Sequence, residues 1–301
     1  MSNKKQSIIG AVAVSVSAIL WGLDGVVLTP RLYNLDVSYV VFILHLIPFI
    51  LMNVFLFKEY RHLKTFSSSD IFILLLIALL GGAVGTLAIV KAIFLVNFKH
   101  LTIIVLLQKL QPVFAIALAA IILKEKLRKN YLLWAAIAII SGYFLTFGFH
   151  LPDFQAGDNT VYAASLALLA AFSFGSSTVF SKKILQKYSF HTATFYRYGF
   201  TTLILFLYIL VFSKFGEFTK TTSLNWIIFL IIAFTTGSGA IFLFYYGLTK
   251  IRAILATICE LFFPISAIFF DYFINDNKLS PVQWLAAIIM IGAIVNLNRR
   301  S

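Results

Sequence analysis

LLQKLQPVFAIALAAIILKEKL, residues Leu106–Leu127, is a membrane-length apolar run that carries a proline, two glutamines and a lysine. It stops abruptly in a charged cluster. A second stretch, ICELFFPISAIFFDYFINDNKL, follows 152 positions later, at Ile258–Leu279. Pro112 pairs with Pro264, Gln108 with Glu260, and the KEKL end with DNKL. The same offset pairs Gly85 with Gly237 and His45 with Arg197, and one residue of slippage pairs Gly22 with Gly175. A chain that repeats its most unusual helix is expected to be two copies of one fold, 1–150 and 151–301.

Working outward from these two stretches, the composition fits a bilayer rather than water. The 301 residues are 61% hydrophobic and 12% charged, with mean hydropathy +0.96. Soluble domains carry roughly 25% charged residues. Helices spanning hydrocarbon accommodate such a sequence because lipid is their solvent and each helix satisfies its own backbone. Ten apolar segments are predicted, at roughly 8–28, 37–57, 71–96, 102–123, 131–149, 160–180, 191–213, 225–248, 254–274 and 282–298. Each is close to the ~20 residues that a crossing needs. The first follows Lys4 and Lys5 but is longer than a signal core and has no small-residue cleavage site, so it is read as a retained helix.

The net charge of +13 does not point to nucleic acid, because the basic residues lie between apolar segments. With both termini in the cytoplasm, sixteen of the 24 Lys and Arg fall inside, five fall outside and three lie within the membrane. That asymmetry obeys the positive-inside rule. Five helices per half is an odd number, so the second half is expected to cross in the opposite sense. Inverted repeats of this kind place substrate near the bilayer midplane at the repeat interface.

The residues Trp21 and Gly22, QPVFAIALAAIILKEKL, Tyr245–Leu248 (YYGL), Glu260–Pro264 (ELFFP) and Ile291–Val295 (IGAIV) resemble the drug/metabolite transporter superfamily, in its EamA-type branch with ten helices. The resemblance covers nearly the whole chain. It implies two inverted five-helix repeats around a central cavity lined by the fourth and ninth helices. It also implies carriage of a small metabolite such as an amino acid, a nucleotide-related compound, a vitamin or a sugar, with export the commoner direction. Two departures stand out. The ninth segment ends in NDNKL where the family usually has a glutamate, and Lys91 and Lys109 are unusual for the family.

Ionisable residues inside a membrane cost roughly 2.5–3.5 kcal/mol on insertion scales and normally face a cavity or a partner. Asp24 and Lys91 lie near segment ends and are expected to form a local ion pair with a gating or coupling role. His45, Lys109, Arg197 and Glu260 are deeper. Together with Gln108 they predict a polar chamber on the pseudo-twofold axis, or alternatively an Arg197–Glu260 pair that locks helices together. In the chamber Arg197 is expected to grip a carboxylate or phosphate, since guanidinium suits bidentate anion recognition. Lys109 would add to that charge. Glu260 would pair with Arg197 in the empty state, bind an amino group or carry a proton. His45 would assist proton movement. Trp21, Tyr245 and Tyr246 would cage a planar or cationic group. Pro112 and Pro264, like Pro48, remove backbone donors and are expected to kink their helices as symmetry-related gates. The GGAVG of Gly81–Gly85 and the GSGA of Gly237–Ala240 are expected to serve close helix packing.

No metal spacing links the five histidines with the single Cys259, and no nucleophile elbow or phosphate loop is present, so neither a cofactor, a metal nor an ATPase is expected. The expectation is a secondary transporter of the cell membrane, probing its substrate by alternating access and exporting an amino acid or related anion or zwitterion, with protons as a coupling ion. The alternative is a membrane-embedded flippase or enzyme acting on a lipid carrier through Lys124, Glu125 and Lys126. Nothing in the sequence sets an oligomeric state.

Overall fold

Hydrocarbon offers no hydrogen-bond partners, so a chain this apolar must close its backbone bonds within helices. The computed structural model describes residues 3–95, 104, 107–108, 110–126, 129–149, 158–275 and 280–299, with the backbone alone at 3, 131, 146, 158–160, 275, 298 and 299. The described elements are helical. In order they are α1 (Asn3–Leu23), α2 (Val37–Leu56), α3 (Ser68–Ile77), α4 (Gly85–Leu95), α5 (Gln111–Ile122), α6 (Lys129–Phe147) and α7 (Asp158–Ile184). The second half gives α8 (Phe190–Val211), α9 (Ser223–Ile232), α10 (Ser238–Lys250), α11 (Ala253–Cys259), α12 (Phe262–Asn275) and α13 (Pro281–Arg299). Among the described residues, seven helical stretches are long and apolar enough to cross a membrane, and three shorter apolar helices accompany them. Large apolar side chains such as Val54, Phe55, Ile121 and Val211 remain exposed, as a lipid-facing surface requires.

Local sequence sets where helices begin. Asp36 caps α2 by accepting from the Ser38 amide at 2.9 Å. Ser67 and Asp70 form a capping box at the start of α3, and Thr222 and Asn225 form its counterpart at α9. Such boxes satisfy amides that a helix leaves orphaned at its N-terminus. The two boxes open the third apolar segment of each half.

Among the described residues, three π-type turns interrupt the helices: Asp24–Leu28 after α1, Ala78–Val84 between α3 and α4, and Ala233–Gly237 between α9 and α10. The last two sit at corresponding places in the two halves. Wider turns of this kind free carbonyls and recur at functional sites. Side chains take up those carbonyls. Thr201 donates to Ala78 O at 3.2 Å, Thr86 to Gly81 O at 3.3 Å, and Ser238 to Ala233 O at 2.6 Å. The glycines do serve close approach. A Cβ on Gly81 would stand 2.1 Å from Ser177 Oγ, and one on Gly82 would stand 2.0 Å from Thr201 Oγ1.

Packing is reciprocal between the halves. α1 packs on α10 and α12, while α7 packs on α4 and α5. α2 packs on α8, α5 on α11, and α6 on α13. The first helix of each half is therefore held by the third and fourth segments of the other. Gly22 makes one such contact possible: a Cβ there would lie 2.0 Å from Ser266 Oγ and 2.8 Å from the Ala267 amide.

The prolines act differently from the expected kinks. Pro112 lies in the first turn of α5, and Pro264 lies in the first turn of α12, two residues after the helix resumes. A first-turn proline has no intrahelical amide bond to lose. The ninth segment is broken into α11 and α12, with Glu260 and Leu261 in the break. Pro48 alone among the three lies inside a continuous helix.

Candidate binding site at the broken helices

Glu260 follows the last turn of α11, where the backbone leaves the helix for two residues. Its carboxylate takes two neutral donors. Gln111 Nε2 donates to Oε2 at 2.5 Å, and Thr178 Oγ1 donates to Oε1 at 3.3 Å. These partners come from α5 and α7, so three helices meet on one carboxylate. Glu260 and Gln111 are partly accessible, whereas Thr178 is buried. A carboxylate in the middle of a membrane segment normally faces a cavity or a partner. Gln111, rather than Gln108, supplies the polar contact from the fourth segment, because it stands at the start of α5 and faces α11.

Arg197 is held in a different way. Its Nη2 donates to Gly81 O at 2.9 Å, and Nη1 donates to Tyr245 Oη at 3.1 Å. Its guanidinium stands 5.8 Å from the Tyr245 ring centroid. Tyr245 Oη in turn shares a 2.7 Å bond with Ser181 Oγ. Arg197 thus joins α8 to the turn at Ala78–Val84 and to α10. It makes no ion pair with Glu260, so the expected lock between these two residues is absent. Their charges act on one another only across a gap. Among the described residues, Arg197 Nε is buried without a hydrogen-bond partner, as are Ser173 Oγ and Ser177 Oγ.

The remaining expected site residues divide. His45 is buried against Tyr198, with ring centroids 5.3 Å apart, and its Nδ1 bonds Val41 O at 2.8 Å. It adjoins Arg197 but is engaged by its own helix. Trp21 is partly accessible and lies 5.5 Å from Phe244, in the same apolar cluster as Tyr245 and Cys259. Tyr246 points away from Arg197: it packs 5.5 Å from Phe190 and lies beneath Lys250 Nζ at 4.6 Å. Asp24 and Lys91 do not pair. Asp24 accepts from Thr29 at 3.3 Å, while Lys91 is exposed and sits 5.4 Å from the Tyr162 ring. Lys91 reaches outward because its long stem lets the ammonium leave the apolar layer. Lys109 lies outside the described residues.

The sequence reasoning predicted the segment that forms α7 but placed no site residue on it. Ser173, Ser177 and Ser181 recur every four residues on α7, with Thr178 beside them, in the run SFGSSTVFS. A hydroxyl stripe of that period inside an apolar helix was the available signal.

Residues 8–148 and 161–299 match the EamA-like transporter family. The chain belongs to this family. It is a multi-pass membrane transporter with two EamA halves, and the embedded-enzyme alternative falls away. The EamA chain is 55% identical over 291 residues to the riboflavin transporter ImpX of Fusobacterium nucleatum subsp. nucleatum, covering 96% of this chain and 97% of that protein. It is 26% identical over 251 residues to an uncharacterised transporter of Synechocystis sp., covering 79% and 68%. A crystal structure at 15% identity superposes with a TM-score of 0.69 over 99% of both chains, which shows the fold alone.

Proposed function

We propose that this EamA transporter carries riboflavin across the cell membrane by alternating access between its two halves. The observation that carries the proposal is the 55% identity, along nearly the full length of both chains, to a protein named as a riboflavin transporter. That substrate replaces the anticipated amino acid or anion. Riboflavin is neutral, planar and rich in hydrogen-bonding groups, so it needs aromatic walls and neutral polar contacts rather than a cationic grip. The site agrees in kind. Arg197 is already engaged by Gly81 and Tyr245. Glu260 and Gln111 are partly accessible polar residues that meet at the break, and Phe262 and Phe263 follow it, partly accessible as well.

The proposal includes ten crossing segments in two inverted halves, 1–150 and 151–301, with both termini in the cytoplasm. The reciprocal packing of α1 and α7 supports the two-fold arrangement, and the Lys and Arg distribution supports the orientation.

Purified protein in liposomes tests the transport. Saturable riboflavin flux, read by flavin fluorescence in both directions, with no flux of amino acids, is the expected result. Amino-acid flux with no riboflavin flux overturns it.

A further inference from the structure

We infer that Gln111, Glu260 and Thr178 form a specificity site that reads the imide edge of the flavin ring, an inference that rests on the riboflavin proposal. The three side chains meet in the order donor, acceptor, donor: the Gln111 amide, the Glu260 carboxylate and the Thr178 hydroxyl. An ionised carboxylate offers about four acceptor positions, and an amide NH2 group carries two hydrogens. Two of the carboxylate positions and one amide hydrogen are used within the trio, so the rest remain for a ligand. The Thr178 bond, at 3.3 Å, is beyond the usual O–H···O range and is readily exchanged for a better partner.

The pyrimidine edge of an isoalloxazine presents the complement. A carbonyl, an N–H and a second carbonyl stand side by side as acceptor, donor, acceptor. Its central N3–H would reach the Glu260 carboxylate, and the flanking carbonyls would take Gln111 Nε2 and Thr178 Oγ1. A bond from N–H to a charged acceptor is among the stronger kinds.

The placement supports recognition of a neutral group in particular. Among the described residues Glu260 has no cation within ion-pairing distance; its contacts are an amide and a hydroxyl. A substrate presenting a carboxylate or phosphate at this point would meet a carboxylate with no ion-pair partner among the described residues, so the trio would discriminate by repulsion as well as by fit. Glu260 stands at the helix break between α11 and α12, outside the regular backbone of either helix, and is partly accessible as a residue. Phe262 follows the break directly in the chain and packs against the apolar core.

The experiment compares riboflavin with N3-methylriboflavin on the purified full chain, by quenching of flavin fluorescence. Methylation removes the central donor and leaves the carbonyls and the ribityl chain. In the wild-type protein the methyl analogue is expected to bind about 10- to 100-fold more weakly, the worth of one hydrogen bond to a charged group. In Glu260→Ala that preference should collapse towards unity, and in Glu260→Gln, which keeps a neutral acceptor, it should be intermediate. Equal affinity of the wild type for both flavins overturns the inference while leaving the riboflavin proposal intact, and it does so even if Glu260→Ala fails to fold. An undiminished preference in folded Glu260→Ala also overturns it. Failure of the wild type to bind riboflavin at all refutes the riboflavin proposal and this inference with it.

Discussion

The junction around Arg197 and the junction around Glu260 set two charges inside the same helical bundle, and their surroundings differ. At the first, a guanidinium is tied to a backbone carbonyl freed by a π-type turn and to a tyrosine hydroxyl, with its side chain buried. At the second, a carboxylate sits in a helix break with two neutral donors and some exposure. Arg197 is tied to two other elements, with Nε left without a partner among the described residues. The carboxylate at the gap in the backbone meets only two neutral donors. Depth in the membrane was therefore a poor guide to surroundings: both residues were expected to lie deep, yet one meets a backbone carbonyl and a tyrosine and the other an amide and a hydroxyl.

The largest effect should come from removing the engaged charge. Arg197→Leu deletes two charge-assisted bonds and strands Gly81 O in an apolar interior. Hydrogen bonds to charged groups are worth about 1.5–3 kcal/mol each, so a loss of about 3 kcal/mol or more is expected. Ligand-free Tm in detergent should fall sharply, with Arg197→Lys in between. Glu260→Gln, measured the same way, should leave Tm nearly unchanged, because the amide can still meet Gln111 and Thr178. If the two variants lose the same stability, the distinction between the junctions is wrong.

Next in size is Gly22→Ala. The added Cβ meets Ser266 Oγ at 2.0 Å and the Ala267 amide at 2.8 Å, so α1 and α12 must separate. Overpacking of this kind costs about 1–3 kcal/mol. Because α12 begins directly after the Glu260 break, riboflavin affinity should fall together with Tm. A normal Tm and normal affinity would mean that the helices part at no cost.

A smaller effect is expected at the face that carries the N-terminus. The fourth segment ends with Lys124 in a left-handed conformation, φ 53°, and the Glu125 amide bonds back to Ala119 O at 3.2 Å. That turn aims the Glu125 carboxylate at the start of α11, where it accepts from the amides of Ala253 at 2.9 Å and Ile254 at 3.2 Å. Arg252 Nε adds an ion pair at 3.6 Å. Loss of an N-terminal cap costs typically about 1 kcal/mol, so Glu125→Ala should loosen α11 without unfolding the protein. The buried Cys259 at the far end of α11 reports this directly. Its alkylation should be faster in Glu125→Ala than in the wild type, and equal rates would show that the cap does not hold the helix.

The sequence made the larger architecture legible because apolar length, charge asymmetry and the Pro112/Pro264 repeat all have one physical cause, helices in lipid in two related copies. Its reading of the site was less complete. Glu260 and Arg197 were found because charges in apolar helices are conspicuous. Their partners were not, because a helix break and a π-type turn alter which residues face one another. The 152-residue repeat offset put Gln108 opposite Glu260, whereas in the structure Gln111, at the start of α5, bonds it. Gly81 contributes a carbonyl, which no side-chain pattern encodes. The Asp24–Lys91 pair failed because both residues had nearer options, a threonine hydroxyl for one and an aromatic face for the other.

The smallest effect belongs to the opposite face, where the comparison can be made with exposed charges. Asp36 accepts from Lys214 at 2.9 Å, and Glu217 accepts from the Asp36 amide at 3.0 Å and from Lys220 at 2.6 Å. Burial alone would raise the Asp36 carboxyl, but the bonds from Ser38 and Lys214 outweigh it and hold the pKa below its usual value. Glu217 is likewise lowered, with burial outweighed by Lys220 and the Asp36 amide, and Lys214 is raised by its bond to Asp36. A depressed carboxylate contributes stability that is present above its unfolded pKa, about 4, and disappears as pH falls through the folded value. A raised lysine contributes stability that is present below its unfolded pKa, about 10, and disappears as pH climbs through the folded value. The cluster should therefore be indifferent to pH between about 5 and 9, weaken only in stronger acid or base, and be worth no more than the roughly 0.2–1 kcal/mol of exposed pairs. Asp36→Asn keeps the cap on Ser38 and removes the charge, so its Tm should differ little from wild type at pH 7, and that difference should shrink further below pH 4. A difference approaching that of Arg197→Leu would mean that solvent screening does not separate this face from the membrane interior.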